Sequence, residues 1–274
     1  MLDIVGFHIL KDKIRLRYTK AQASRILSSF DAMVQETKLH APRRLVSDRG
    51  LLRPRDESFI ASLTQSPDSR EDSEEKHWER ACFEAWSNSS TGIGKGVPFK
   101  RIVYYQMPLR NKQKDKGWGA IDLLGADEKA RPVIIELKSK HTERLLRAMC
   151  EVLGYGIAIR KSCNSCEPTE GAFRAFWESR IRPKTDLSDS VCIPLVIAAP
   201  SQYWAAVLST SSGPVEGKTP FEARPILRDI LERASKDGFP ITLVSLKGEG
   251  AGKSLRVVGA EAISLQSRLV PTGK

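Results

Sequence analysis

The sequence predicts a mixed α/β fold, in which one sheet of parallel and antiparallel strands carries helices on both faces. Three observations lead there. Helix and strand patterns follow one another in the order α-β-β-β-α-β-α-β along residues 71–258. The run from Val191 to Pro200 is apolar throughout and too short for a core helix, as a fully buried strand would be. Finally, 41% of the 274 residues are hydrophobic, enough for a substantial core.

The first 66 residues stand apart. Ile4–Leu10 and Ile14–Tyr18 read as short strands around the turn Lys11-Asp12-Lys13, and an amphipathic helix follows over Ala21–Glu36. The polar, proline-containing stretch Thr64–Asp72 reads as a linker. Residues 1–66 are thus expected to form a small N-terminal α+β subdomain, suited to target recognition, ahead of a main domain over 67–274. In the main domain a helix is expected over Glu71–Ser87, where Trp78, Cys82, Ala85 and Trp86 make one apolar stripe. Strands follow at Arg101–Leu109, Gly119–Leu124 and Pro132–Lys138, then a helix over Thr142–Arg160 and the strand Val191–Ala198. Helices at Tyr203–Leu208 and Phe221–Ser235 and strands at Pro240–Leu246 and Leu255–Val258 complete the pattern.

Charge narrows the partners. With 44 Lys+Arg against 33 Asp+Glu the chain carries +11, which on a folded protein favours a polyanion. The surplus is local: residues 1–50 hold 10 basic and 5 acidic side chains and residues 101–150 hold 11 and 6, whereas residues 51–100 hold 7 and 9. No apolar run approaches the roughly 20 residues of a spanning helix, so no membrane role is expected. Asp3, His8 and Lys11 interrupt the N-terminus and the five cysteines suggest no disulfide framework, so a cytoplasmic protein is expected.

The basic central segment also holds the chemistry. In Val133-Ile-Ile-Glu-Leu-Lys138, Glu136 and Lys138 project to one face of a core strand and Val133, Ile135 and Leu137 to the other. Asp122 is the single charge of the preceding strand, Ala120–Leu124. A turn centred on residues 127–131 makes Asp122 and Glu136 cross-strand partners, with Cβ atoms about 5 Å apart. Two carboxylates so placed repel unless a cation lies between them, and without His or Cys in the cluster a hard ion, Mg²⁺ or Mn²⁺, is expected. Lys138 beside it would orient or deprotonate a water, or stabilise charge developing on a phosphate. The triplets Glu74/Lys76, Asp127/Lys129 and Glu216/Lys218 have the same spacing but lie outside core strands, where a charge costs little. A purely structural Glu136–Lys138 ion pair is the competing reading.

These residues resemble the PD-(D/E)xK nuclease superfamily, the restriction-endonuclease-like fold. The likeness comprises Gly119-Ala-Ile-Asp-Leu-Leu124, a short turn and Val133-Ile-Ile-Glu-Leu-Lys138, set in an αβββαβ order over residues 71–200. No proline precedes Asp122, as is true of many members. The resemblance implies Asp122 and Glu136 as metal ligands, with the Leu137 main-chain carbonyl as a further one, and Lys138 as the catalytic lysine. It also implies a glutamate from the first core helix, for which Glu75 and Glu79 both flank the apolar stripe and Glu79 is preferred. Glu151 and Tyr155 occupy positions where similar families place a Gln or Tyr, although Tyr155 reads as core. Lys112, Lys114 and Lys116 before the hairpin, with Lys140 and Arg144 after it, would grip phosphates without reading sequence.

The expected function is therefore Mg²⁺- or Mn²⁺-dependent hydrolysis of nucleic acid, DNA rather than RNA, by an endonuclease in which cutting both strands would favour a homodimer. A non-catalytic nucleic-acid-binding or regulatory module retaining the fold is the alternative. Two other motifs fall short. Gly252-Lys-Ser254 suggests a phosphate-binding loop, but Lys247 stands where that pattern requires its first glycine, so a strand-connecting turn is expected. Cys163-Asn-Ser-Cys166 has no second pair at zinc spacing.

Overall fold

A computed structural model describes residues 73–108, 120–139, 145–164, 177, 181, 192–208 and 229–263. The expected N-terminal subdomain over 1–66 lies outside them. Helix α1 (Glu74–Trp86) begins at the N-cap Ser73, whose hydroxyl accepts the Lys76 N–H at 3.3 Å. Glu74 and Glu75 in its first turn suit the positive end of the helix. Then come β1 (Arg101–Pro108), β2 (Ala120–Ala126), β3 (Pro132–Leu137), α2 (Leu145–Asn164), β4 (Leu195–Pro200) and α3 (Ser201–Leu208). A helical segment over 229–236, β5 (Ile241–Glu249) and β6 (Arg256–Ala262) close the described chain.

The six strands form one mixed sheet in sequence order. β1, β2 and β3 pair antiparallel, β4 and β5 add in parallel through helical crossovers, and β6 returns antiparallel to β5. Two apolar layers flank it. On one face Trp78, Cys82 and Trp86 of α1 pack with Leu123, Val133, Ile135 and Leu137. On the other, Ala148, Met149, Val152 and Leu153 of α2 pack with Ile121, Ile134, Leu195 and Ile197, together with Tyr203 and Trp204 of α3. β3 and β4 are buried along their whole length because each lies between two strands and beneath helices on both faces. Gly156 lets α2 approach the sheet, since a Cβ there would lie 3.0 Å from the side chains of Leu195 and Phe239.

The β2–β3 hairpin fixes the register on which the site depends. Asp127 organises its turn: Oδ1 accepts the N–H groups of Lys129 and Arg131 at 2.9 and 2.8 Å, and Oδ2 accepts from the Arg131 guanidinium at 2.7 Å. The turn closes on Ala130, held at φ +58°, where its methyl is strained. Ala130→Gly is accordingly expected to stabilise the protein by about 1 kcal/mol, raising the melting temperature by roughly 2–4 °C in calorimetry. A lower melting temperature would show that the lost methyl contact outweighs the strain.

Within the described residues the expected elements recur with end shifts of a few residues, and positions 221–228 of the helix expected over Phe221–Ser235 lie outside them. At β4 the strand predicted from Val191 begins at Leu195: Ile193 bonds instead to Gly238, and Pro194 has no N–H to offer the ladder. Gly252–Ser254 is a single 3-10 turn joining antiparallel β5 and β6, its Ser254 hydroxyl donating to the Ala251 carbonyl at 2.8 Å. A strand, not a phosphate-binding helix, follows it. Among the described residues no helix is long and apolar enough to cross a membrane.

Candidate metal centre

The polar cluster lies at one end of β1, β2 and β3, where three apolar strands each contribute a polar side chain. The observed pairing Leu123↔Ile135, carried one residue further, sets Asp122 opposite Glu136. On the other side of β2, Tyr105↔Leu123 and Met107↔Ile121 set Gln106 opposite Asp122. Gln106, Asp122 and Glu136 thus form a row across three strands.

Asp122 is the centre of the row. Its Oδ2 accepts the Leu137 N–H at 2.8 Å and its Oδ1 accepts from the Gln106 amide at 3.1 Å. Glu79 reaches the same place from α1, where it is fully buried one turn before Cys82, and its Oε2 accepts from Lys76 at 3.0 Å and from the same Gln106 amide. Glu75 lies one turn earlier on that helix face. Carboxylate oxygens of Glu75, Glu79 and Asp122 all fall within 4.8 Å of one another, close enough to bind a metal ion together.

Glu136 and Lys138 form the other half. The Lys138 ammonium donates to Glu136 Oε1 at 2.7 Å and lies 3.3 Å from Glu151 Oε2 on α2. All three residues are at most 7% exposed. Glu136, expected to share an ion with Asp122, is not among the three acids with mutually close oxygens; its near oxygen is engaged by Lys138. Both Glu75 and Glu79, between which the sequence left a choice, join Asp122. Leu137, expected to present its carbonyl, meets Asp122 through its N–H. Lys112, Lys114, Lys116, Lys140 and Arg144 lie outside the described residues, as does Cys166.

Burial and mutual repulsion set the protonation of this cluster. Desolvation, joined by the Glu79 charge, pushes Asp122 up to about 8 despite Lys138 and the Leu137 N–H. Desolvation likewise lifts Glu79 to about 7, against the pull of Lys76. Glu136 is raised well above the carboxylate range by burial and then by Asp122. Burial alone would drive the proton from Lys138, but Glu136 and Glu151 outweigh it and hold the ammonium charged. Tyr155 packs in the core and keeps its phenolic proton, through burial and then through Glu136 and Glu151.

The donor set fits a hard divalent cation. Every candidate ligand is an oxygen, and the buried atoms Glu79 Oε1 and Glu136 Oε2 have no hydrogen-bond partner. A cation would offset the desolvation, and with it the repulsion, that now holds protons on these acids. Gln106 was not legible as a site residue, because nothing in the sequence reveals which β1 position faces Asp122. Comparison of the chain with family models, curated proteins and solved structures finds no match. Fold and site together define an α/β protein with a buried, oxygen-rich centre suited to a metal ion.

Proposed function

We propose that this chain is a metal-dependent nuclease hydrolysing phosphodiester bonds, in DNA rather than RNA, on a restriction-endonuclease-like core. One observation carries the reading: Glu79, Asp122, Glu136 and Lys138, all at most 7% exposed, converge where three core strands end, with two carboxylate oxygens unpartnered. A structural ion pair requires one acid and one base. Here five acids, counting Glu75 and Glu151, share two cations, Lys138 and Lys76, in a low-dielectric setting, an arrangement costly to stability and suited to function. The element order α1-β1-β2-β3-α2-β4 supports the nuclease-like core, being the order that the resemblance implies.

Glu75, Glu79 and Asp122 would hold Mg²⁺ or Mn²⁺, with Glu136 on the flank nearer Lys138. When bound, the ion neutralises the acids, polarises a phosphate oxygen and makes a water more acidic. The chain supplies the rest. Lys138, kept as an ammonium between Glu136 and Glu151, is suited to stabilise charge building on the phosphate rather than to remove a proton. The Leu137 N–H and the Gln106 amide fix the orientation of Asp122. Lys112, Lys114, Lys116, Lys140 and Arg144, which lie outside the described residues, would supply contacts to the phosphate backbone.

Purified full-length protein is expected to nick or degrade plasmid DNA with Mg²⁺ or Mn²⁺ and not with EDTA, and Glu136→Ala should lose this activity by at least about 100-fold at unchanged folding. An inert wild-type protein, or a Glu136→Ala variant that cleaves as well as wild type, would sink the reading. DNA binding and Mn²⁺ binding without cleavage would mark the non-catalytic module instead.

A further inference from the structure

Gln106 occupies a backbone conformation that its position in the chain does not require. It lies inside β1, in no turn, yet has φ +51°. Ala130, the other non-glycine residue of positive φ among those described, owes its conformation to a hairpin turn. Strain within a strand persists only where the surroundings hold it, and here the side chain shows what they hold. The Gln106 Nε2 donates to Glu79 Oε2 and to Asp122 Oδ1, tying α1 to β2. The pairing of β1 with β2 shifts by one residue between Ile102 and Tyr104. Without that irregularity Tyr105 would stand opposite Asp122, and a phenol has one proton to give where two carboxylates need one each.

An amide is bifunctional. Its nitrogen can face two carboxylate oxygens, and its oxygen can face a cation in the same place. A half-turn about the last side-chain bond exchanges the two without moving the backbone. We propose that Gln106 is the placeholder of the metal centre: its N–H groups bridge Glu79 and Asp122 when no cation is bound, and its Oε1 becomes a neutral ligand when a divalent cation enters. The inference rests on the metal-centre reading but not on nuclease activity. Glu79 Oε1, fully buried and without a hydrogen-bond partner, is a further oxygen that a cation could take without breaking a bond of that atom.

Calorimetric titration of Mn²⁺ into the full chain, at one pH near 8, tests this on wild type, Gln106→Ala and Gln106→Glu, alongside the metal-free melting temperature of each. Gln106→Ala should weaken Mn²⁺ binding about tenfold or more, as loss of a ligand or its orienting group does. Gln106→Glu retains an oxygen but no donor. It should melt lowest of the three without metal, yet bind Mn²⁺ at least as tightly as wild type. A role confined to hydrogen bonding predicts instead that Gln106→Glu binds no better than Gln106→Ala, and that result would overturn the proposal, as would wild-type affinity in Gln106→Ala. If the alanine variant does not fold, Gln106→Gly gives the same truncation without strain at positive φ. Absence of Mn²⁺ binding by wild type would remove the metal-centre reading and this proposal together. Binding without DNA cleavage would remove only the nuclease reading, leaving the comparison of variants intact.

Discussion

Glu79→Gln is expected to make the metal-free protein more stable at pH 8.5 while weakening its response to Mn²⁺. Burial raises the Glu79 carboxyl from 4.5 to about 7, so the folded state holds a proton that the unfolded chain has released. The stability this represents is fully present below the unfolded value and is lost as pH rises through about 7. Asp122, raised from 3.8 to about 8, acts in the same direction over a slightly higher range. Metal-free wild type should therefore lose stability steadily between about pH 4.5 and 8.5. Glutamine imitates the protonated acid at every pH: its oxygen keeps the Lys76 and Gln106 hydrogen bonds, and its amide nitrogen takes the unpartnered Oε1 position. A shift of this size corresponds to on the order of 3 kcal/mol at pH 8.5, or roughly 5–10 °C in melting temperature, and to nothing near pH 4. Mn²⁺ should close most of this gap. It binds the ionised acids, so at about 100 times its dissociation constant it adds about 2.7 kcal/mol to wild type, more at pH 8 than at pH 6, and much less to the variant. Thermal melts at several pH values, with Mn²⁺ and with EDTA, check both halves. Equal melting temperatures at pH 8.5 would mean that Glu79 is not held protonated by its surroundings.

The half of this cluster on β2 and β3 could be read from the chain because every step is local. A five-residue turn built on Asp127 fixes the hairpin register, the register sets Asp122 against Glu136, and the two-residue period puts Lys138 on the face of Glu136. The half on α1 was legible only to the level of a helix face, since Glu75 and Glu79 lie one turn apart and no sequence rule separates them. The structure shows why no choice was needed, as both reach Asp122. Gln106 and the Lys138–Glu151 contact depend on events with no local signature. One needs a register shift three residues before the side chain it repositions, and the other needs the depth at which α2 settles on the sheet, for which Gly156 removes a side chain. Electrostatics was likewise only half visible: two nearby carboxylates implied a cation, but which acid would take the lysine was decided by packing.

Lys138→Met carries the second large effect, because Lys138 stands between Glu136 and Glu151 and all three are buried. Methionine keeps the length and apolar volume of the stem and removes the charge. The two acids then face each other without the ammonium, and breaking a buried ion cluster from one side costs about 3–5 kcal/mol, a large share of the 5–15 kcal/mol typical of a folded domain. The loss should be greatest at pH 8 and smaller at pH 5, where Glu136, already raised well above the carboxylate range, takes up a proton instead. Such a variant can appear inactive because it unfolds, so it does not by itself identify a catalytic lysine. The double variant Lys138→Met/Glu151→Gln separates the two effects. Removing one charge of each sign leaves Glu136 near a neutral amide, and most of the lost stability should return, visible as a coupling of at least about 1 kcal/mol in a double-mutant cycle from urea unfolding. DNA cleavage should not return with it, since no ammonium is left to meet the phosphate, whereas Mn²⁺ binding should persist because Glu75, Glu79 and Asp122 are untouched. If cleavage recovers with stability, Lys138 serves the fold and not the chemistry, and the protons and charge of the reaction must be managed by the carboxylates alone.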